Sequence, residues 1–310
     1  MGLGAALVVA VRTRGRLWNA RYRRAASEVG HRAALGSAVG AAFRSVRRRV
    51  EPVLFAPHHV EKWLYAKGTR PVRGLPLPHF LVIGVEKAGT TWLYENLRHH
   101  PEIYLPAKEL RYFDRDFHRS LRSYARHFAP GASRIRGDIT PTYCVLPIGR
   151  IRFIRGIMPD VRLVLMLRNP VERAWSYALM HLLRNPGRRL EETDDAEFYT
   201  HFRSERSRAR GGYPRILDRW LSVFPPERLH VVLFEEIAHA PSDVLRGVLA
   251  HIGASTDIAR DTFPLTRVVN PGPGIRMPDR YRRFLEDLYR DEIDTLHERY
   301  GTALAAWRRQ

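Results

Sequence analysis

Apolar positions along this chain of 310 residues gather into short continuous runs, separated by longer segments with helical spacing. The clearest run, Phe80–Val85, holds no charged or hydroxyl residue to mark a wet face. It predicts a strand buried on both sides. Val161–Leu167 predicts a second buried strand, Leu229–Phe234 a third, and Arg134–Asp138 a short one. Helical spacing predicts Thr91–His99, stopped by Pro101, and Ile148–Ile157, ended before Pro159. It also predicts Val171–Leu183 with Pro170 at its start, Tyr213–Phe224, Pro241–Ile252 and a final helix Tyr281–Tyr300. Residues 184–212 are charged and contain glycine, and read as an insertion or flexible loop. Arg267–Pro278, with three Pro and two Gly, reads as a loop. Strands alternating with helices imply the α/β class, a parallel sheet covered on both faces.

The pattern before Phe80 differs. Residues 31–50 read as a basic amphipathic helix, with Leu35, Val39, Phe43, Val46 and Val50 on one stripe among Arg44, Arg47, Arg48 and Arg49. Two readings stand: a helix packed on the core with a solvated basic face, or peripheral contact with an anionic membrane surface. Gly68, Pro71, Gly74, Pro76 and Pro78 mark a linker over 68–78. The expected organisation is therefore a basic helical extension over 1–70 and one domain over 71–310.

Charge sharpens this division. The net charge of +20 suggests a nucleic-acid binder at first sight. Residues 1–50, however, hold eleven Arg against one acid, Glu28, so 11 − 1 = +10 lies in the first sixth of the chain. No DNA- or RNA-reading motif accompanies it, and no nucleic-acid partner is expected for the core. A single cysteine, Cys144, excludes an internal disulfide framework and a cysteine zinc cluster, and fits a reducing compartment. No His or carboxylate cluster has metal-site spacing, so no metal is expected. The N-terminal apolar run Leu3–Val11 is far short of the roughly 20 residues of a spanning helix. The expectation is a cytoplasmic protein, peripheral to a membrane at most.

Three segments carry chemistry. The first follows Phe80–Val85: Gly84-Val85-Glu86-Lys87-Ala88-Gly89-Thr90-Thr91-Trp92. A strand, a Gly-to-Gly loop and a helix N-terminus make an anion site, because free backbone amides and the helix dipole favour negative charge. The spacing is that of a nucleotide-binding P-loop, but Thr90 stands in the Lys slot and Lys87 lies two residues before the second Gly. The bland reading is a glycine turn that starts a helix. The second segment is Arg168-Asn169-Pro170-Val171-Glu172-Arg173-Ala174-Trp175-Ser176-Tyr177, directly after an apolar strand. Arg168 would sit where open α/β sheets bind ligands, and Ser176 about two helical turns on. An Arg fork with a hydroxyl suits a terminal phosphate. Arg173 is either part of this set or a structural ion-pair partner. The third is Lys108-Glu109-Leu110-Arg111-Tyr112-Phe113-Asp114.

Together these resemble the sulfotransferases that use 3′-phosphoadenosine-5′-phosphosulfate (PAPS), closest in motif to carbohydrate enzymes of the heparan-sulfate type. The resemblance covers roughly residues 79–300. It implies a P-loop-like α/β fold and sulfuryl transfer from PAPS to a hydroxyl or amine, on a small-molecule or glycan acceptor. It implies that Lys87, Ala88, Gly89, Thr90, Thr91 and Trp92 hold the 5′-phosphosulfate, with Lys87 also stabilising the leaving phosphate. Arg168 and Ser176 would hold the 3′-phosphate, Tyr213 would line the cofactor site, and Glu109 would be the catalytic base. Asp114 and Asp138 are alternative bases. Ile139 stands where heparan-type enzymes place a Lys, and Arg267 and Arg276 compete for a late phosphate contact. A nucleotide kinase or other P-loop NTPase is the alternative. Against it stand Thr90 in the Lys slot and Arg168 where a metal-binding carboxylate would end the strand.

Overall fold

The computed structural model describes residues 74–183, 190–258 and 263–301, together with Lys62, Leu64, Tyr65, Val72 and Trp307. The basic segment 31–50, on which both helix readings rest, lies outside the described residues. The compact unit that holds the site runs from Pro57 to Gln310. Its buried Lys62 donates to the Phe117 carbonyl, and Tyr65 is buried in the core.

Five parallel strands form one sheet: β1 (Phe80–Gly84), β2 (Ile103–Tyr104), β3 (Ile135–Ile139), β4 (Arg162–Leu167) and β5 (Leu229–Leu233), in the order β2-β3-β1-β4-β5. The sheet centres on β1, whose five residues are all buried, as its unbroken apolar run requires. Val82 is in register with Ile139 on one side and Val164 on the other. The chain crosses β1 between β3 and β4, so the order reverses beside it. The crevice at the carboxyl ends of β1 and β4 is thus the ligand-binding switch point of such sheets.

Helices α1 (Thr90–Leu97), α2 (Leu121–Ala125), α3 (Ile148–Ile157) and α4 (Pro170–Leu182) follow in chain order. α5 (Asp195–Arg203), α6 (Glu205–Gly211) and α7 (Tyr213–Leu221) come next. α8 (Phe234–His239), α9 (Pro241–Ile252), α10 (Asp279–Leu288) and α11 (Arg290–Tyr300) complete the set. Three expectations need correction. The stretch read as a loop over 184–212 contains α5 and α6, capped by Asp194 and Ser204. Their apolar stripe is narrow: Phe198 and Phe202 bury α5 in a cluster with Trp175 and Tyr281, and the half-buried Tyr199 packs against it. The last helix is broken at Tyr289. That ring is buried against Gly211, where a Cβ would lie 2.4 Å from it. Finally, Phe234 does not close β5; it opens α8.

Candidate active site

The loop after β1 is tied to β4 by Val85, whose amide donates to the Met166 carbonyl at 2.7 Å. Gly89 turns the chain into α1 with φ 87°, and a Cβ there would sit 2.9 Å from the Phe234 ring. Only glycine accepts both that φ and that approach. No side chain caps α1 and its first turn holds no acid, so the first amides of the helix have no intrahelical acceptor. The Ala88 side chain is fully buried, leaving its backbone as the part able to meet a ligand. Thr91 Oγ1 accepts from Lys108 Nζ at 2.6 Å and from Asn270 Nδ2 at 3.4 Å.

The second segment meets the first. Arg168 follows β4, and its Nη1 donates to the Lys87 carbonyl at 3.4 Å. Its guanidinium lies 4.7 Å from the centre of the Phe234 ring. Asn169 caps α4 by accepting from Val171 and Glu172, which sets the helix that carries Ser176. Tyr213 is fully buried and does not line the cavity; its hydroxyl donates to the Arg168 carbonyl at 2.7 Å. Its contact with this segment is with the Arg168 backbone. Arg173 is buried as well. It donates to the Ser207 carbonyl and the Tyr289 hydroxyl and, among the described residues, makes no ion pair.

The third segment closes the far side. Glu109 donates its amide to the Ile139 carbonyl at 2.9 Å, and its carboxylate lies 3.5 Å from Lys108 Nζ. The Ile139 side chain is fully buried, so position 139 meets this segment through its backbone. Asp114 is held by Arg111 at 2.9 Å and Thr142 at 2.7 Å. Asp138 lies wholly inside the protein, accepting from Thr140, Tyr124 and Tyr143. Burial pushes its pKa up to about 6 against these bonds. Neither acid lines the cavity.

A cavity of about 800 Å³ brings these parts together. Lys87, Gly89, Thr90, Thr91, Trp92, Glu109, Arg168 and Ser176 all border it. Arg267 borders it too, and Arg276 does not. Sequence reasoning missed Lys108 as a lining group, together with Glu86, Phe234 and Asn270. Glu86 was inside the first motif, and its ion pair with Arg210 from α6 has no local signal. Lys87, Glu109 and Asn270 hold left-handed backbones, with φ of 72°, 64° and 54°. Such conformations in non-glycine residues cost on the order of 1–3 kcal/mol each and gather at functional sites. Burial lowers the pKa of Lys87, and the nearby Arg168 and Lys108 cations lower it further. Burial likewise lowers that of Arg168. The border thus mixes cations, Lys87, Lys108, Arg168 and Arg267, with the carboxylates Glu86, Glu109, Glu172 and Glu235, and within it Lys87 lies close to two other cations. A second cavity of about 600 Å³ opens at the opposite, amino ends of the strands and holds none of these groups.

Residues 77–263 match the family described as Sulfotransferase domain. The chain belongs to that family. It is 32% identical over 218 residues to mouse (Mus musculus) heparan sulfate glucosamine 3-O-sulfotransferase 6, covering 65% of this chain and 60% of that one. It is 31% identical over 199 residues to the mouse 3-O-sulfotransferase 3B1, covering 60% and 49%. The chain thus spans about half to three fifths of the length of these relatives. Among solved structures, a sulfotransferase from Alicyclobacillus acidocaldarius superposes with a TM-score of 0.60 at 28% identity, covering 75% of this chain and 99% of that one.

Sulfotransferase membership implies PAPS as the sulfuryl donor, and the residues present fit it. Lys87, Lys108, Arg168 and Ser176 all border the cavity and supply the cationic and hydroxyl donors that the anionic groups of such a nucleotide need. Among the described residues, no group of three or more His, Cys, Asp or Glu is placed to hold a metal, and no helix is long and apolar enough to cross a membrane.

Proposed function

We propose that this protein transfers a sulfuryl group from PAPS to a hydroxyl or amine of a carbohydrate or glycoconjugate. The observation that carries the reading is the convergence of the Lys87 loop, Arg168 with Ser176, and Glu109 on one cavity. PAPS, when bound, supplies the sulfuryl group and departs as adenosine 3′,5′-bisphosphate. The backbone of residues 88–92 and the hydroxyls of Thr90 and Thr91 hold its 5′ end. Lys87 neutralises charge that grows on the leaving side, which is where a fixed cation in a water-poor site is worth most. Arg168 and Ser176 hold the 3′-phosphate, and Tyr213 fixes Arg168 from behind. Glu109 takes the acceptor proton. Lys108, within reach of both Thr91 and Glu109, links the donor end to the base.

The relatives' acceptor, heparan sulfate glucosamine, motivates the carbohydrate class. The single buried thiol of Cys144 suits a cytoplasmic setting, with segment 31–50 as the peripheral membrane contact. Transfer of labelled sulfate from PAPS across a panel of glycans, glycolipids and phenols tests the reading directly. Thermal shift separates its rivals, because a ligand stabilises only a state that binds it. Adenosine 3′,5′-bisphosphate should raise the melting temperature. A rise with ATP-Mg alone would favour a kinase, and one with oligonucleotides alone a nucleic-acid binder.

A further inference from the structure

The segment that carries Glu109 has almost no regular structure of its own. Lys108 makes a single bridge to Ile139, and the chain then runs irregularly through Arg111. Glu109 and Arg111 both sit in left-handed backbone, with φ of 64° and 56°. Neither is glycine, so the surroundings must impose the shape. The end of β3 does so. Glu109 donates its amide to the Ile139 carbonyl, and Arg111 donates its amide to Thr140 Oγ1 at 3.3 Å.

Thr140 accepts that bond because its own proton is committed elsewhere. Its hydroxyl donates to Asp138 Oδ1 at 2.7 Å. Asp138 Oδ2 accepts from Tyr124 at 2.8 Å and from Tyr143 at 3.0 Å. Tyr143 in turn accepts the Phe113 amide at 3.3 Å. One buried carboxylate thus orients three hydroxyls, and two of them, Thr140 and Tyr143, each hold one amide of the 109–113 segment. Thr140 and Asp138 are both fully buried and do not border the cavity.

We propose that Asp138, Thr140 and Tyr143 form a positioning relay that fixes the backbone bearing Glu109, and so places its carboxylate against the acceptor. The inference rests on the reading of Glu109 as the base. The relay residues are positioning residues; they touch neither donor nor acceptor. The ionised carboxylate accepts from all three hydroxyls, and a proton on it would leave an O–H with no acceptor among them. The titratable groups around it are Tyr124 of α2, Tyr143 and Asp114.

Thr140→Val removes the hydroxyl and keeps the volume, whereas Thr140→Ser restores the hydroxyl. Both are compared with wild type and with Glu109→Gln for turnover with PAPS and a heparan sulfate oligosaccharide, KM for PAPS, bisphosphate affinity by calorimetry, and hydrogen exchange of peptide 108–113. Thr140→Val should lose about 10- to 100-fold in turnover, the scale of ångström-level misplacement of a reacting group. Its KM for PAPS and bisphosphate affinity should stay within about twofold, and exchange should quicken in 108–113 alone. Thr140→Ser should behave as wild type. Unchanged exchange in Thr140→Val, or equal loss in the Ser and Val variants, overturns the relay. Full turnover in Glu109→Gln overturns the base and the relay with it. Loss in Glu109→Gln alone overturns only the relay. Should Thr140→Val fail to fold, Tyr143→Phe cuts the other arm and is read in the same way by exchange.

Discussion

Lys87 shows how one residue holds strain and charge for use. Its backbone is left-handed, its ammonium is half-buried, and Arg168 and Lys108 push its pKa down. An anion relieves all the electrostatic part of this, and relieves most when the anion gains charge during reaction. Lys87→Ala should therefore lose far more turnover than bisphosphate affinity. Single-turnover kinetics beside calorimetry checks this; a variant whose only defect is a raised KM for PAPS would leave Lys87 a simple anchor. Arg168→Ala should behave in the opposite sense, weakening bisphosphate binding by about 1.5–3 kcal/mol, the worth of a charge-assisted hydrogen bond. Asp138 gives a pH prediction. Burial raises its pKa from the usual 3.8 to about 6, a displacement worth roughly 3 kcal/mol. Between these values the native carboxyl is protonated and the unfolded one ionised, so the native state holds the extra proton. Raising the pH through that window favours unfolding. Wild type should lose stability relative to Asp138→Asn between about pH 4 and 6. A difference in melting temperature that stays flat from pH 4 to 7 would place the titration elsewhere.

At the scale of elements, what the sequence made legible follows from local pattern. β1 and β4 announce themselves because strands buried on both faces need unbroken apolar runs, and α9 and α3 because their stripes are wide. The first two motifs of the site were readable for the same reason, each following such a run, whereas Lys108–Asp114 follows none. What stayed hidden depends on distant partners. β2 is two residues long and exists through pairing with β3. α5 fully buries Phe198 and Phe202 and packs Tyr199 beside them, and their value comes from Trp175 and Tyr281, which lie far along the chain. The Lys108 bond to Thr91 and the relay behind Glu109 are likewise long-range. Phe202 tests this account. It is fully buried, with its ring 5.7 Å from Tyr281 and 6.1 Å from Phe284, and it does not line the cavity. Phe202→Ala should cost about 3–5 kcal/mol in urea unfolding while leaving bisphosphate affinity per folded molecule unchanged. A cost below about 1 kcal/mol would mean that α5 is peripheral to the fold after all.

At the scale of the whole molecule, the charge is divided, and the division suggests a division of labour. Residues 1–50 carry a net +10, while the cations of the compact unit that matter for chemistry face one cavity. A basic amphipathic segment of this kind binds anionic lipid with roughly 1 kcal/mol per basic residue near the surface, and loses that attraction as salt rises. The place to cut the chain follows from packing. Lys62 donates to the Phe117 carbonyl and Tyr65 is buried, so a chain beginning at Pro71 would lose contacts of the core. A chain beginning at Pro57 keeps them, because the compact unit starts there. The full chain should sediment with phosphatidylserine-containing vesicles at low salt and release as salt rises, whereas the chain from Pro57 should stay in solution. Both should transfer sulfate to a soluble oligosaccharide at similar rates, since among the described residues none before Glu86 borders the cavity. Equal partition of the two proteins at low salt would sink the lipid tether and favour a helix packed on its own protein. A large loss of turnover on the soluble acceptor would instead give the basic segment a part in holding the acceptor itself.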